Sequence, residues 1–296
     1  MASTAKDQNP FHAQDPILCR DDFFNRDAGV RSVLVRLRKG QSVSVVGKKK
    51  IGKTSFLHYV SDPQVAVRHG FVPQKHLFCY VGCEHLTDLG EDDCLAYIRG
   101  VVVEALSTWE ASPFPSHVGA ACPDAYLWLD QMLSLFDRAG VQLIVQLDDF
   151  DWLMSNERLS LRFLDNMRAL SEILDTLTYL TTSRIPLVDL QGEIPYISGS
   201  PFFDIFWEYQ LPSFGSAEAR SFLAKRLEAV GAACEDGVLE FVCGLSQDEP
   251  HRLQLAGTCM YKVWCEKGRR PVCDADCGEI EARFKCELQL ESGDLT

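Results

Sequence analysis

The chain has 296 residues, 46% of them hydrophobic, so it can bury the core of one large domain or of a domain with a smaller lobe. Its formal net charge of −13 argues against a surface built mainly to bind nucleic-acid phosphates, although a local basic groove is compatible with it. No apolar stretch reaches the length of a membrane span, and the polar N-terminus lacks the pattern of a secretory signal. We therefore expect a cytoplasmic protein with no membrane contact.

Twelve cysteines are many for a chain of this length. Most are expected to be reduced thiols that fill the core. A zinc site is the alternative near Cys273 and Cys277, which lie close in sequence to two further cysteines, but their spacing is not the usual C-x-x-C pair. Four of the twelve cysteines lie among apolar neighbours, namely Cys79, Cys94, Cys243 and Cys259.

The predicted elements begin with a polar segment and a helix that carries Val30, Val33, Leu34 and Leu37 on one face. Strand-like runs follow at residues 43–46, 77–81, 143–147, 177–181 and 205–211. Helical patterns separate them, for example at residues 93–109, 125–139 and 159–174. Residues 192–203 are rich in proline and glycine and are predicted to be a loop.

From residue 216 onward the pattern is helical only, with helices predicted at residues 217–230, 237–243, 250–267 and 278–290. Alternating strands and helices followed by helices alone predict an α/β fold. It is a three-layer sandwich with a parallel five-stranded core sheet, followed by a small helical lobe. The predicted boundaries are 1–40 for an N-terminal segment and helix, 41–213 for the core and 214–296 for the lobe.

Residues 47–55 read GKKKIGKTS, which contains the pattern G-x-x-x-x-G-K-[ST] between a strand-like run and a helix. In that context loop amides and the positive end of the helix cradle phosphates, so the motif predicts a P-loop NTPase. Gly47 and Gly52 let the backbone close around the anion, Lys53 reaches the β- and γ-phosphates, and the Thr54 hydroxyl ligates Mg²⁺. The three consecutive lysines are either solvated charges or include a phosphate contact. The other predicted binding residues of the loop are Lys48, Lys49, Lys50, Ile51 and Ser55.

A second motif, LIVQLDDFD at residues 143–151, is an apolar strand that ends in adjacent carboxylates. P-loop ATPases hold Mg²⁺ and orient water with such acids. Asp148 is the predicted metal-side acid, and Asp149 is the predicted general base, whose shorter reach than glutamate favours slow turnover. Asp151 is expected to hold the turn or the following helix. Two solvated acids at a strand end are the alternative.

A third motif, TTSR at residues 181–184, ends the next strand. If that strand lies between the two motif strands, its end faces the γ-phosphate. Arg184 would then sense or neutralise developing phosphate charge. A surface arginine that caps a helix or loop is the alternative.

A set of seven motifs resembles the signal-transduction ATPases with numerous domains, the STAND branch related to AAA+ ATPases: FFNRD, GKKKIGKTSFL, LDDFD, FLDNMRAL, TTSR, SPFFDIFWEYQLPSF and EPHRLQLAG. The resemblance implies that residues 23–27 contact the nucleotide, with Arg26 on the adenine side. Asn25 and Asp27 depart from the glycine and glutamate of that family motif. Of a Gly-x-Pro motif near the base and sugar, only Pro250 matches. No NKxD guanine-reading sequence follows the loop, which favours ATP over GTP.

The resemblance implies an ATP-binding, slowly hydrolysing regulatory switch in signal transduction, with bacterial defence as one expected setting. Such a switch self-associates or binds a partner protein on activation. One alternative is a DNA-associated AAA+ ATPase of the transposition or origin-binding type. Another is a nucleotide-binding scaffold with negligible turnover. Because family members usually continue through a winged-helix domain, one interpretation is that the chain is a fragment of a larger protein.

Overall fold

The computed structural model describes residues 9–114, 122–172, 176–193, 200–247 and 249–293. In these residues five parallel strands form one sheet in the order β2-β3-β4-β1-β5. The predicted parallel five-stranded sheet is confirmed, and β4 lies between the two motif strands as expected. The strands are β1 (Ser42–Val46), β2 (His76–Gly82), β3 (Gln142–Asp148), β4 (Leu177–Ser183) and β5 (Phe206–Gln210).

The helices of the sheet region are α1 (Asp27–Leu37), α2 (Lys53–Ser61), α3 (Pro63–Arg68), α4 (Glu91–Thr108), α5 (Ala125–Ala139), α6 (Phe150–Met154), α7 (Leu161–Glu172) and α8 (Leu187–Glu193). The lobe consists of α9 (Ser216–Val230), α10 (Asp236–Ser246), α11 (Pro250–Glu266) and α12 (Cys277–Gly293). No helix in the described part of the chain is long and apolar enough to cross a membrane.

Helices cover both faces of the sheet. Alternate residues of the central strands point to opposite faces, and each set of apolar side chains packs against helices. Ile144 and Leu180 pack with α1, α2 and α3 on one face. Leu143, Val145 and Tyr179 pack with α4, α5 and α7 on the other face. β1 and β4 are buried along their whole length, and β3 is buried except at its first residue, as expected for strands that are covered on both faces.

The lobe has a core of its own around α11, the most deeply buried of its four helices. Phe11, from the segment before α1, also belongs to this core. Its ring lies against Gly257, where a Cβ would come within 2.4 Å of the ring. Gly257 therefore makes room on α11 for the N-terminal segment.

The predicted loop at residues 192–203 is wrong in part. α8 extends to Glu193, and Pro201–Ile205 form a 3₁₀ helix, while residues 194–199 lie outside the described part. Pro201 occupies the first position of this helix, and the Ser200 hydroxyl accepts the Phe202 amide hydrogen at 3.3 Å. The proline thus starts a short helix that buries Phe202 and Phe203, rather than a loop.

All twelve cysteines lie in the described part of the chain, and none of them forms a disulfide. Cys79, Cys94 and Cys259 are buried, whereas Cys243 is half-buried. Burial raises the pKa of Cys79 to about 12, so this thiol is neutral near pH 7. No group of three or more His, Cys, Asp and Glu side chains in the described residues is arranged to hold a metal ion.

Candidate functional site

Two glycines shape the loop between β1 and α2. A Cβ on Gly47 would lie 2.8 Å from Ile51 Cγ2, closer than a side chain tolerates. Gly52 has φ +96° and precedes the first residue of α2, a backbone conformation that L side chains rarely adopt. The loop can therefore turn tightly onto the N-terminus of α2, the end that favours anions.

Lys53 is the buried cation of this loop, with only 6% of its side chain exposed. Its ammonium donates to the Gly47 carbonyl at 3.1 Å and to the Lys48 carbonyl at 3.4 Å, and it lies 3.7 Å from Asp149 Oδ1. A buried charge needs such partners. The two carbonyls hold the Lys53 ammonium at the N-terminus of α2. Phosphate oxygens bound there can accept further hydrogen bonds from it.

The two acids at the end of β3 differ in their surroundings. Asp148 is 4% exposed and accepts hydrogen bonds from Tyr80 Oη at 2.8 Å and from Thr182 Oγ1 at 2.6 Å. Asp149 is partly exposed, and its amide donates to Thr182 Oγ1 at 2.7 Å. Burial, with repulsion from Asp148, raises the pKa of Asp149, and Lys53 opposes that rise. One carboxylate is fixed, and the other faces the cavity.

Asp151 and Arg184 form an ion pair. Arg184 Nε lies 3.1 Å from Asp151 Oδ2, and the Arg184 amide also donates to this carboxylate. Asp151 is 4% exposed at the side chain, whereas Arg184 is 58% exposed. Asp151 thus anchors the backbone after β4, in keeping with its expected structural role, and the exposed arginine reaches over the cavity edge.

A cavity of about 340 Å³ lies at the carboxyl edge of the sheet, where α/β proteins bind ligands. It brings most of the predicted residues together. Those that line it are Lys49, Lys50, Gly52, Lys53, Thr54, Ser55, Asp149, Arg184 and Pro250. Gly47, Lys48, Ile51, Arg26 and Asp148 lie outside its lining, and the first three support the loop through their backbone or packing.

Arg26 lines a smaller neighbouring cavity of about 50 Å³, together with aromatic side chains. Its guanidinium donates to the Pro212 carbonyl at 2.8 Å and the Ile51 carbonyl at 3.1 Å, and burial lowers its pKa to about 10. Asn25 and Arg26 have φ of 56° and 78°, in the left-handed region. Asparagine tolerates that region better than most residues, so Asn25 can stand where the family motif has glycine.

Sequence reasoning missed the segment at residues 12–17, which forms one wall of the larger cavity. The Ile17 amide donates to Ser55 Oγ at 2.9 Å, and the His12 amide donates to Gln254 Oε1 at 3.0 Å. The segment therefore joins the phosphate loop to the lobe. An isolated Phe11 in a polar stretch was the one available signal, because such a residue needs a core to pack into.

Trp152, His251 and Gln254 also line the cavity without having been predicted. His251 Nε2 lies 3.1 Å from Lys50 Nζ, so the start of α11 contacts the loop directly. Lys50 has φ +64°, a conformation that costs free energy in a residue other than glycine. The contact pairs a side chain of the lobe with a strained residue of the loop.

The oxygen atoms at this edge of the sheet suit Mg²⁺, which prefers oxygen ligands. Thr54 lines the cavity next to Lys53. Asp148 is buried, and its hydrogen-bond donors among the described residues are two hydroxyls and the Asp149 amide, none of which is a cation. The donor set fits a small divalent cation held together with phosphate oxygens.

No protein-family model and no curated protein matches the sequence. Solved structures are similar to it. The Walker-type ATPase PABY2304 of Pyrococcus abyssi aligns with a TM-score of 0.69 at 15% identity, covering 95% of this chain and 77% of that one. The chain has the fold of a P-loop ATPase.

Two further solved structures are similar as well. The Aeropyrum pernix ORC2 protein, in ADPNP and ADP complexes, aligns with a TM-score of 0.60 at 16% identity, covering 88% of this chain and 66% of that one. Domain III of the Thermotoga maritima replication initiation protein DnaA gives 0.57 at 14% identity, with 92% and 97% covered. At these identities the similarity concerns the fold, and this chain spans slightly less than two thirds of the ORC2 chain.

Proposed function

We propose that the protein binds ATP with Mg²⁺ and acts as a slowly hydrolysing regulatory switch of the STAND type. The observation that carries this proposal is the composition of the larger cavity. Its lining combines the phosphate loop, an acid after β3, an arginine after β4 and the start of lobe helix α11. A ligand that fills it touches both the sheet region and the lobe.

Each residue then has a distinct task. Lys53 and the loop amides bind the β- and γ-phosphates, while Thr54 and Asp148 hold Mg²⁺, which neutralises phosphate charge when bound. Asp149 accepts a proton from the attacking water. Burial raises the pKa of this carboxyl above its ordinary value, which makes it a better proton acceptor. Arg184 contacts the γ-phosphate from the end of β4.

The switch depends on the contacts between lobe and loop. Pro250 and His251 of α11 face the same cavity as Lys53, so ATP can favour one arrangement of the lobe by contacting it better there. Loss of the γ-phosphate removes the contact with Arg184 and releases that preference. In signal transduction such a change would control self-association or binding of a partner protein.

Titration calorimetry with ATP and ADP, each with Mg²⁺ and with EDTA, tests the binding site. We expect ATP to bind in the micromolar range or tighter, with Mg²⁺ strengthening binding, and phosphate release to be slow. Size-exclusion chromatography with light scattering in ATP and in ADP then tests the switch. A protein that binds neither nucleotide would contradict the whole proposal. The same oligomeric state in ATP and in ADP would contradict only the switch.

The second candidate function is a DNA-associated ATPase. Its support is the fold shared with the Thermotoga maritima replication initiation protein DnaA and with the Aeropyrum pernix ORC1 protein, which was solved in complex with DNA and aligns with a TM-score of 0.55 at 17% identity. The net charge of −13 disfavours it. Fluorescence anisotropy of a labelled DNA duplex, with and without ATP at low salt, distinguishes the two. Salt-sensitive binding would favour the DNA-associated function.

The scaffold alternative rests on Asp149, which is shorter than the usual glutamate. It predicts tight ATP binding without release of phosphate over many hours. Measuring both on the same sample separates it from the slow switch.

A further inference from the structure

Tyr80 lies in β2, next to the strand that ends in the two acids. It is level with Gln146 of β3, and Asp148 is two residues further along that strand, so both side chains are on one face of the sheet. The Tyr80 hydroxyl donates to Asp148 Oδ2 at 2.8 Å. The contact crosses from one strand to the next at the edge where the cavity lies.

The other oxygen of Asp148 is held from the opposite side. Thr182, on β4, donates its hydroxyl to Oδ1 at 2.6 Å. The two donors come from the strands that flank β3, so the carboxylate cannot rotate without losing one of them. Both donors are neutral hydroxyls, so neither of them compensates the negative charge of the carboxylate.

The Tyr80 ring is itself fixed in place. It stacks on the His58 ring of α2, with centroids 4.7 Å apart and planes inclined by 26°. α2 is the helix that begins at Lys53, and it is tied to β3 by a hydrogen bond from Gln146 Nε2 to the Leu57 carbonyl at 2.9 Å. Tyr80 therefore connects the orientation of Asp148 to the helix that carries the phosphate-binding residues.

We propose that Tyr80 is a positioning residue for the Mg²⁺ site, which fixes the Asp148 carboxylate in the orientation that receives the cation. This inference rests on the proposed function. It follows from the hydrogen bond of Tyr80, from the opposing bond of Thr182 and from the stacking on His58. Outer residues that orient a metal-binding carboxylate contribute strongly to metal affinity.

Tyr80→Phe tests the proposal, because it keeps the stacked ring and removes only the hydroxyl. We expect the Mg²⁺ concentration that gives half-maximal strengthening of ATP binding to rise about 10-fold, and ATP affinity in EDTA to stay at the parent value. The matched control is Tyr179→Phe on β4, which removes a buried hydroxyl that donates to the Met167 carbonyl at 2.8 Å. The control is expected to lower stability without moving the Mg²⁺ midpoint.

The double variant of Tyr80→Phe with Asp148→Asn distinguishes an effect of Tyr80 on the orientation of Asp148 from a general effect of Tyr80 on the fold. If Tyr80 acts through Asp148, its substitution changes nothing further in the Asp148→Asn background. An unchanged Mg²⁺ midpoint in Tyr80→Phe overturns the proposal. So does an equal loss of ATP affinity with Mg²⁺ and with EDTA, or a full additive effect in the double variant. A parent protein that binds no ATP contradicts the proposed function, and the inference then falls with it.

Discussion

The two sides of the larger cavity are built in different ways. On the sheet side, polar groups such as Lys53 and Asp148 are held by hydrogen bonds to backbone and side chains of neighbouring strands. On the lobe side, the segment at residues 12–17 is held by the buried Phe11 ring and by the hydrogen bond from the His12 amide to Gln254. We infer that the residues of the sheet side bind and hydrolyse ATP. The lobe side changes its arrangement in response to the bound nucleotide.

The largest expected effect is on the sheet side, in Asp149→Asn. The amide keeps the size of the carboxylate but cannot accept a proton from water, so hydrolysis should fall about 10³-fold. ATP affinity should change little, because Asp149 contacts no phosphate in the proposed mechanism. Phosphate release and calorimetry measure the two quantities. Parent turnover in this variant would mean that another residue is the base.

Its matched control is Asp137→Asn, which changes an exposed carboxylate of α5 beside Gly140, beyond the opposite end of the sheet. This variant should hydrolyse ATP at the parent rate. A comparable loss in both variants would point to net charge rather than to a general base.

The next largest effect is expected in Lys53→Ala. The variant removes the buried ammonium at the N-terminus of α2, and ATP binding with Mg²⁺ should weaken roughly 100-fold, about 3 kcal/mol. Lys48→Ala is the control, since Lys48 is exposed and lies outside the cavity lining. Calorimetry measures the ATP affinity of both variants, so it compares the contributions of two lysines of the same loop. Equal affinities would contradict the phosphate-binding role of Lys53.

The sheet side was predictable because its parts are local. A loop that closes through Gly47 and Gly52, and acids that directly follow an apolar strand, show their geometry in a few consecutive residues. The parallel sheet then brings these strand ends to one edge, which explains why Lys53, Asp149 and Arg184 meet.

The lobe side was not predictable in the same way. The His12 amide bonds to Gln254, 242 residues away in sequence, and no local pattern shows that pairing. Tyr80 was missed for a related reason, because an isolated tyrosine in a strand looks like a packing residue until its neighbour across the sheet is known. Asn25 has a positive φ, a backbone conformation that glycine adopts readily and that the sequence alone did not reveal.

A smaller effect is expected on the lobe side in Phe11→Ala. The ring is buried against α11 and meets Phe222 edge-on, with centroids 6.1 Å apart. Its removal should lower the unfolding free energy by about 2 kcal/mol, less than for an enclosed phenylalanine, because the short segment can detach. Chemical denaturation measures this, with Leu18→Ala, an exposed residue further along the same segment, as control. Equal unfolding midpoints in the two variants would contradict an anchoring role for Phe11.

Arg184 tests whether the two sides are coupled, and its effect should be the smallest in free energy. Arg184 extends from β4 over the cavity that Pro250 and His251 face from the lobe, so a γ-phosphate can be contacted from both. We expect ATP with Mg²⁺, more than ADP, to protect residues 182–187 and 249–256 from amide hydrogen exchange.

In Arg184→Ala the difference between the two nucleotides should shrink by about 1 kcal/mol, the modest size of a charged contact at an exposed side chain. Arg184→Lys keeps the charge but loses the planar fork, and should retain part of the difference. A ligand shifts a conformational equilibrium only through contacts that it makes better in one state. Equal protection by ATP and ADP in the parent protein would therefore mean that the protein does not respond to the γ-phosphate. Either nucleotide would then simply stabilise both sides of the cavity.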